Sequence, residues 1–274
     1  MTFEDGGLNE PMAVPTAEVK KKIERPLGEK IEESLEIIDR TMSICRYPCV
    51  AFSGGKDSTV VIHLVRLRRP DIPILFQNTR CEHKLTYEFV RKLKEEWNLN
   101  LHEVKAKKTF WDICKECGVP VWTADVCRIG LCCHWLKKEP ASRFFIENSI
   151  DGTITGRTAI ESRVRMFAAM RKGALYKSEG KFSKKVLYES HPILWWTPKD
   201  VWDYTKANNL PFNQLYHIVD RVGCVLCCAH KGWEEQVPKL ATAGQLKILY
   251  KYLGKEPITS YCDIRKESVD GRLE

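Results

Sequence analysis

The chain has 274 residues, of which 43% are hydrophobic and 29% charged; this is an ordinary globular composition, long enough to bury a core without disulfides or metals. No run approaches the ~20 apolar residues of a membrane span, and Met1 to Lys20 holds no apolar signal core, so no membrane attachment is expected and the cytoplasm is the expected compartment. The net charge of +8 fits an anionic partner, a nucleotide or a nucleic acid, as well as solvated helix faces. Twelve cysteines in such a compartment point to metal or redox chemistry and away from disulfides.

Residues 1–30 read as an N-terminal arm broken by Pro11, Pro15 and Pro26. Pro48 to Ser53 is a short apolar run ending at a glycine pair, the pattern of a buried strand. Asp57 to Leu67 carries Val60, Val61, Leu64 and Val65, which predicts a helix. Pro73 to Gln77 is a second strand. Leu85 to Trp97 sets Phe89, Leu93 and Trp97 on one helical stripe. Leu101 to Val104 predicts a third strand, with a helix from Thr109. Gly152 to Thr155 is a fourth strand and Val186 to Glu189 a fifth. Thr197-Pro198-Lys199-Asp200 is a helix start: a capping hydroxyl, a proline suited to the first turn and an acid at the positive end. Strands alternating with helices imply an α/β fold with an open, mostly parallel five-stranded sheet and helices on both faces. That body is expected over residues 31–222, with a cysteine-bearing loop and helix over 223–274.

The chemistry begins where the first strand ends, in Ser53-Gly54-Gly55-Lys56-Asp57-Ser58-Thr59. Glycines let backbone approach an anion, successive amides at a helix start form a nest, and Lys56 adds mobile charge. Ser53, Ser58 and Thr59 add hydroxyl donors. The spacing is not that of a Walker A loop. The plain alternative is a generic strand-to-helix turn.

This heptad resembles the signature of the PP-loop, or N-type ATP pyrophosphatase, superfamily. Further segments are similar to the phosphoadenosine phosphosulfate reductase family. They are Phe76-Gln77-Asn78-Thr79-Arg80; Cys132-Cys133 with Lys137 and Pro140; and Gly156-Arg157 with Glu161-Ser162-Arg163 and Arg165. His191-Pro192 with Trp196, Asp200 and Trp202, then Asn213 and Tyr216, then Gly223-Cys224 with Cys227, complete the pattern. The resemblance implies an adenine nucleotide alpha hydrolase-like sheet. It implies that Lys56 and Arg157 hold the anionic tail of APS, PAPS or ATP. Ser53, Gly54, Gly55, Asp57, Ser58 and Gly156 shape that site, Asn78 and Thr79 lie near the adenosine, and Arg163 and Lys137 are further candidates. Asp57 is either a helix cap or a Mg²⁺ ligand. Lys137 serves either the substrate tail or the charge of nearby thiolates.

Spacing alone leaves iron–sulfur and zinc both open for Cys132, Cys133, Cys224 and Cys227. The resemblance implies a [4Fe–4S] cluster on that double pair. Cys228, and the set Cys114, Cys117 and Cys127, have no assigned role; Cys45, Cys49 and Cys81 read as small core residues. His134, His191, His217 and His230 show no metal spacing and are expected to be structural. Trp195, Trp196 and Trp202 are expected in the core.

One departure matters. The thiol-dependent reductases carry a nucleophilic cysteine in a Glu-Cys-Gly-(Ile/Leu)-His motif near their C-terminus, which this sequence lacks. Cys262, with Arg265 and Lys266 nearby, is the candidate replacement. Three functions follow. The first is reduction of adenylyl sulfate or its 3′-phosphorylated form to sulfite, with a thioredoxin-like thiol donor. The second is AMP-forming ATP pyrophosphatase activity with Mg²⁺, a cysteine desulfurase partner and sulfur transfer to nucleic acid (DNA phosphorothioation or tRNA thiolation). The third is a non-catalytic nucleotide- or cluster-binding subunit. A homo-oligomer is expected in each case.

Overall fold

The computed structural model describes residues 17–122, 126–179 and 186–254. Strands β1 (Pro48–Phe52), β2 (Ile74–Asn78), β3 (Leu101–Lys105), β4 (Gly152–Ile154), β5 (Leu175–Glu179) and β6 (Val186–Ser190) form one sheet in the order β3-β2-β1-β4-β6-β5. Every pairing is parallel except β5 with β6. The expected α/β architecture is present, with six strands where the sequence pattern indicated five. The additional strand, β5, is an edge strand of sequence LYKSE. An edge needs no continuous apolar run, so nothing in its composition announces it.

The helices are α1 (Ala17–Glu24), α2 (Leu27–Ile44), α3 (Lys56–Arg66), α4 (Lys84–Glu96), α5 (Phe110–Cys117), α6 (Val126–Cys133), α7 (Glu139–Glu147), α8 (Arg163–Lys172), α9 (Pro198–Ala207), α10 (Trp233–Leu240) and α11 (Ala243–Leu253). None among the described residues is long and apolar enough to cross a membrane. A π-helical turn, His134–Lys138, continues α6, and a 3-10 turn spans Gln214–His217.

The strand pleat divides the core. Val50, Phe52, Ile74 and Phe76 pack with Ile38 of α2, Leu64 of α3, Phe89 and Leu93 of α4 and Tyr204 of α9. Cys49 and Leu75 point the other way, onto Ala141 and Phe144 of α7. A further apolar cluster joins Cys81, Ile113 and Cys114 of α5 and Leu136 to Leu215, Leu226, Cys228, Trp233, Val237 and Leu249. It fastens α10 and α11 to the chain that follows β2 and β3. The first helix sits on the body through Val19, which packs with Ala159, Leu194 and Trp195.

The helix start at Thr197 forms as its residues dictate. The Asp200 amide donates to the Thr197 hydroxyl at 3.1 Å, and the Thr197 amide donates to Asp200 Oδ2 at 2.7 Å. The same carboxylate receives the Lys30 ammonium at 2.6 Å, and Lys30 is only 1% exposed. Trp196 is buried, and its indole donates to the Ser34 hydroxyl at 3.1 Å.

Candidate functional site

Because β1, β2 and β4 are parallel, their carboxyl ends share one edge of the sheet, where open α/β folds take ligands. The phosphate-type loop leaves β1 there. Gly54 takes φ +72°, a left-handed conformation that glycine adopts without penalty. A Cβ on Gly54 would also lie 2.7 Å from Thr86 Cγ2. The loop is tied internally: Ser53 and Ser58 hydroxyls are 3.1 Å apart, and Ser58 Oγ and Thr59 Oγ1 donate to the Gly55 carbonyl at 2.9 and 3.0 Å. Gly55 is the residue before α3, and no side chain caps that helix. The cap role considered for Asp57 is therefore not the one seen. Asp57 lies in the first turn and grips the Lys56 ammonium at 2.8 and 3.0 Å.

Other parts of the chain hold the loop from outside. Asn213, fully buried, donates from Nδ2 to the Gly54 carbonyl and to Thr86 Oγ1, both at 3.0 Å. The Lys56 amide donates to the Tyr216 hydroxyl at 3.0 Å. Gly156, just beyond β4, abuts the first turn of α3. A Cβ there would stand 2.7 Å from Asp57 C and 2.8 Å from Ser58 N. Arg157 is the next residue, so its backbone stands beside the loop. Burial, together with the Arg157 and Arg221 charges, pushes the Arg165 pKa below its ordinary value, while Asp57 opposes that shift. Arg157, Arg221 and Asp57 thus all lie within electrostatic reach of Arg165. Arg165 also pairs with Glu161. Arg163 is exposed as the first residue of α8, and no described contact brings it to this group.

A second group of residues meets at the end of β2. The Thr79 hydroxyl donates to Glu82 Oε1 at 2.6 Å and lies 3.4 Å from Cys224 Sγ. Asn78 Nδ2 donates to Glu103 at 2.6 Å, and its Oδ1 accepts from the Arg80 amide and the Tyr87 hydroxyl. Asn78, Arg80, Tyr87 and Lys105 line a cavity of about 370 Å³. Thr79 therefore touches the cysteine group, while Asn78 faces the cavity.

The two cysteine pairs, far apart in sequence, come together. Cys132 packs with Cys224 against the apolar cluster that holds Cys81, Cys114 and Cys228. Burial raises the Cys132 thiol most, and the Cys133, Cys224 and Cys227 charges raise it further. Cys224 is likewise raised by burial, while Lys137 lowers it. In turn Cys224, then Cys133 and Cys227, push the Lys137 ammonium up to about 12 against the opposing effect of its surroundings. Lys137 is thus the counter-charge of the thiols. Burial keeps Cys132 and Cys224 protonated, so turning the group into metal-ligating thiolates would need more positive charge than Lys137 gives, as a bound metal centre would supply. Among the described residues, no three His, Cys, Asp or Glu side chains converge tightly enough to grip a single metal ion. Paired cysteine thiols are the donor type that both zinc and iron–sulfur centres take. Cys117 is partly exposed on α5; Cys127 and Cys262 have no described side chain.

Residues 47–230 match the model of the phosphoadenosine phosphosulfate reductase domain. The chain belongs to that family. It is 30% identical over 182 residues to an adenosine 5′-phosphosulfate reductase of Lysinibacillus sphaericus, covering 65% of this chain and 71% of the relative. An uncharacterized protein of Methanocaldococcus jannaschii is 32% identical over 211 residues, covering 73% of this chain and 47% of that one. The chain therefore spans about half the length of the archaeal relative. Among solved structures, phosphoadenylyl-sulfate reductase from Candida auris superposes with a TM-score of 0.54 at 18% identity, over 77% of this chain and 96% of that one. FMN adenylyltransferase from Candida glabrata gives 0.54 at 14%, over 77% and 67%. At these identities the likeness is one of fold.

Several residues that build the site in this family member carried no functional assignment in the sequence. Asn213 and Tyr216 were visible only as parts of a pattern, and their hold on the loop is a tertiary fact. Glu82, Arg221, Tyr176 and Glu189 gave no signal at all. Tyr176 and Glu189 face each other across β5 and β6 and interact with Arg157. His191, 2% exposed, is pushed down to about 4 by burial first and by Arg157 second, so it is neutral.

Proposed function

We propose that the chain reduces adenylyl sulfate, or its 3′-phosphorylated form, to sulfite. The observation carrying this reading is the junction at β2. Thr79, at the end of a strand beside the phosphate loop, lies 3.4 Å from Cys224 of the double cysteine pair. An anion site and a thiol-rich wall therefore adjoin. Loop amides and Lys56 bind the anionic tail, and Arg157 orients it with a planar, charge-assisted fork. The Asn78 cavity accepts the adenosine.

Cys132, Cys133, Cys224 and Cys227 would hold a [4Fe–4S] cluster, which would supply a charged, polarisable group next to the sulfuryl end. Lys137 offsets thiolate charge there. Cys262 is the proposed nucleophile, and it lies outside the described residues. Its thiolate attacks the sulfur of adenylyl sulfate; an S–S bond forms, the S–O bond to AMP breaks, and AMP leaves. A second thiol, from a dithiol donor of the thioredoxin class, attacks the cysteine sulfur of the S-sulfonate and expels sulfite. Closure of the donor's disulfide returns Cys262 as a thiol and supplies the two electrons.

Asp57 beside Lys56 favours a second reading, Mg²⁺-dependent cleavage of ATP to AMP and pyrophosphate for sulfur transfer to nucleic acid. One assay separates them. Anaerobically purified protein is offered ATP, adenylyl sulfate and phosphoadenylyl sulfate separately, with a dithiol, and sulfite and pyrophosphate are measured. Sulfite that disappears in Cys262→Ser supports reduction. Pyrophosphate from ATP, unchanged in Cys262→Ser, replaces it with the second reading. Neither product leaves a binding subunit of a larger assembly.

A further inference from the structure

Arg157 is held from behind by a polar network that the sulfite-forming chemistry does not use. It follows Thr155 of the β4 end, which bonds His191, and its charge acts on Tyr176, Glu189 and His191 together. Tyr176 lies on β5 directly opposite Glu189 of β6. That hydroxyl is 3.0 Å from Glu189 Oε2 and 3.3 Å from His191 Nε2. A phenol has one hydrogen, and the nearer, charged acceptor takes it. His191 Nε2 must then donate to the phenol oxygen, and its Nδ1 accepts from the Thr155 hydroxyl at 2.8 Å. Glu189 Oε1 accepts from Ser178 of β5 at 2.5 Å. The phenol oxygen keeps one lone pair for Arg157. In this arrangement every partner is satisfied, with the Glu189 charge one phenol away from Arg157.

The same device recurs around the site. Lys56 stands against Asp57, and Arg165 against Glu161. Two of its cations thus face a carboxylate directly, and Arg157 faces Glu189 across the phenol. Carboxylates this close reduce the positive field that Arg157, Arg165 and Arg221 share, and a reduced field discriminates by ligand charge. A terminal sulfuryl group carries one negative charge. A terminal phosphoryl group approaches two at neutral pH, because its second ionisation lies near pH ~6.

We propose that Glu189, acting through Tyr176 on Arg157, is a specificity-determining positioning residue that makes the anion site prefer a terminal sulfuryl to a terminal phosphoryl group. This rests on the reading of Arg157 as a ligand of the nucleotide tail. The test is calorimetric titration of the full chain at low salt with adenylyl sulfate and with ADP. Glu189→Gln keeps the shape and removes the charge; it is expected to tighten ADP about fivefold and to move adenylyl sulfate by less than about twofold. Tyr176→Phe is expected to weaken both about tenfold, because it removes the acceptor that seats Arg157. The ratio of two affinities measured on one preparation does not depend on the folded fraction. If Glu189→Gln shifts both nucleotides by the same factor, or loosens ADP, the proposal is wrong while the anion site stands. If Arg157→Ala changes neither affinity, the reading of the anion site itself is wrong.

Discussion

Two glycines shape the site by the room they leave, Gly54 in the loop and Gly156 beside it. Gly156 touches the backbone of Asp57 and Ser58, so a methyl group there has no flexible side chain to push aside. Gly156→Ala is expected to displace the loop and weaken adenylyl sulfate binding about tenfold, since small displacements of binding groups are amplified in affinity. Gly28→Ala is the control. Its Cβ meets nothing within 4 Å, and it lies in α2, so it is expected to add about 0.5 kcal/mol of stability and leave binding alone. Isothermal titration and urea melts on both variants distinguish the two effects. Lys30 shows the opposite case, a buried charge held by the Asp200 carboxylate and the Ile23 carbonyl. Lys30→Met strands Asp200 and is expected to cost about 3 kcal/mol at neutral pH. Burial opposes ionisation of Asp200, but hydrogen bonds from Lys30 and Thr197 overcome it and hold the carboxyl below its ordinary value. Its stabilisation is thus present above the unfolded-state value, near pH ~4, and is lost as pH falls through the folded-state value. The gap between wild type and Lys30→Met is expected to narrow below pH ~4, measured by urea denaturation across that range.

Among the elements, the 3-10 turn at Gln214–His217 joins the phosphate loop to α4. Asn213 at its start uses both ends of its amide: Nδ2 serves Gly54 and Thr86, and Oδ1 accepts from the Leu215 amide at 3.0 Å. Asn213→Ala leaves those groups buried and unsatisfied and is expected to cost about 2 kcal/mol, read by urea denaturation. The same variant is expected to loosen nucleotide binding, because Gly54 loses its anchor. A turn of four residues with no periodicity gives little forewarning of this. Strand β5 was hidden for a related reason. A strand at an edge, paired on one side, needs neither a continuous apolar run nor strict alternation. By contrast β1, β2 and the helix stripe of α4 were legible, because burial on both faces or on one stripe forces a pattern onto the residues themselves.

Across the whole molecule, two apolar clusters divide the work. The larger one packs the sheet against α2, α3, α4 and α9 and depends on no cysteine pair. The other includes Cys81, Cys114 and Cys228, with Cys132 and Cys224 packed on it, and carries α10 and α11. If the double pair holds iron, its removal acts on this second cluster. Chelation of anaerobically prepared protein is expected to speed amide exchange at Ile113, Leu226, Cys228 and Val237. Val60 to Val65 are expected to stay protected, as hydrogen–deuterium exchange would report. Uniform protection before and after chelation would leave the cysteines without a structural metal.

The residues by themselves determined the loop between β1 and α3, the alternation of strand and helix from β1 to β3, and the start of α9. Each is written in a short window, by glycine geometry, by apolar period or by a capping residue beside an acid. Tertiary structure alone decided that β5 turns back antiparallel, that Tyr176, Glu189 and His191 close around Arg157, that Asn213 and Tyr216 clamp the loop, and that Cys224 reaches Thr79. Those contacts join segments far apart in the chain. Such pairings arise from which surfaces remain to be buried once the local elements exist, and no single window of sequence contains that information.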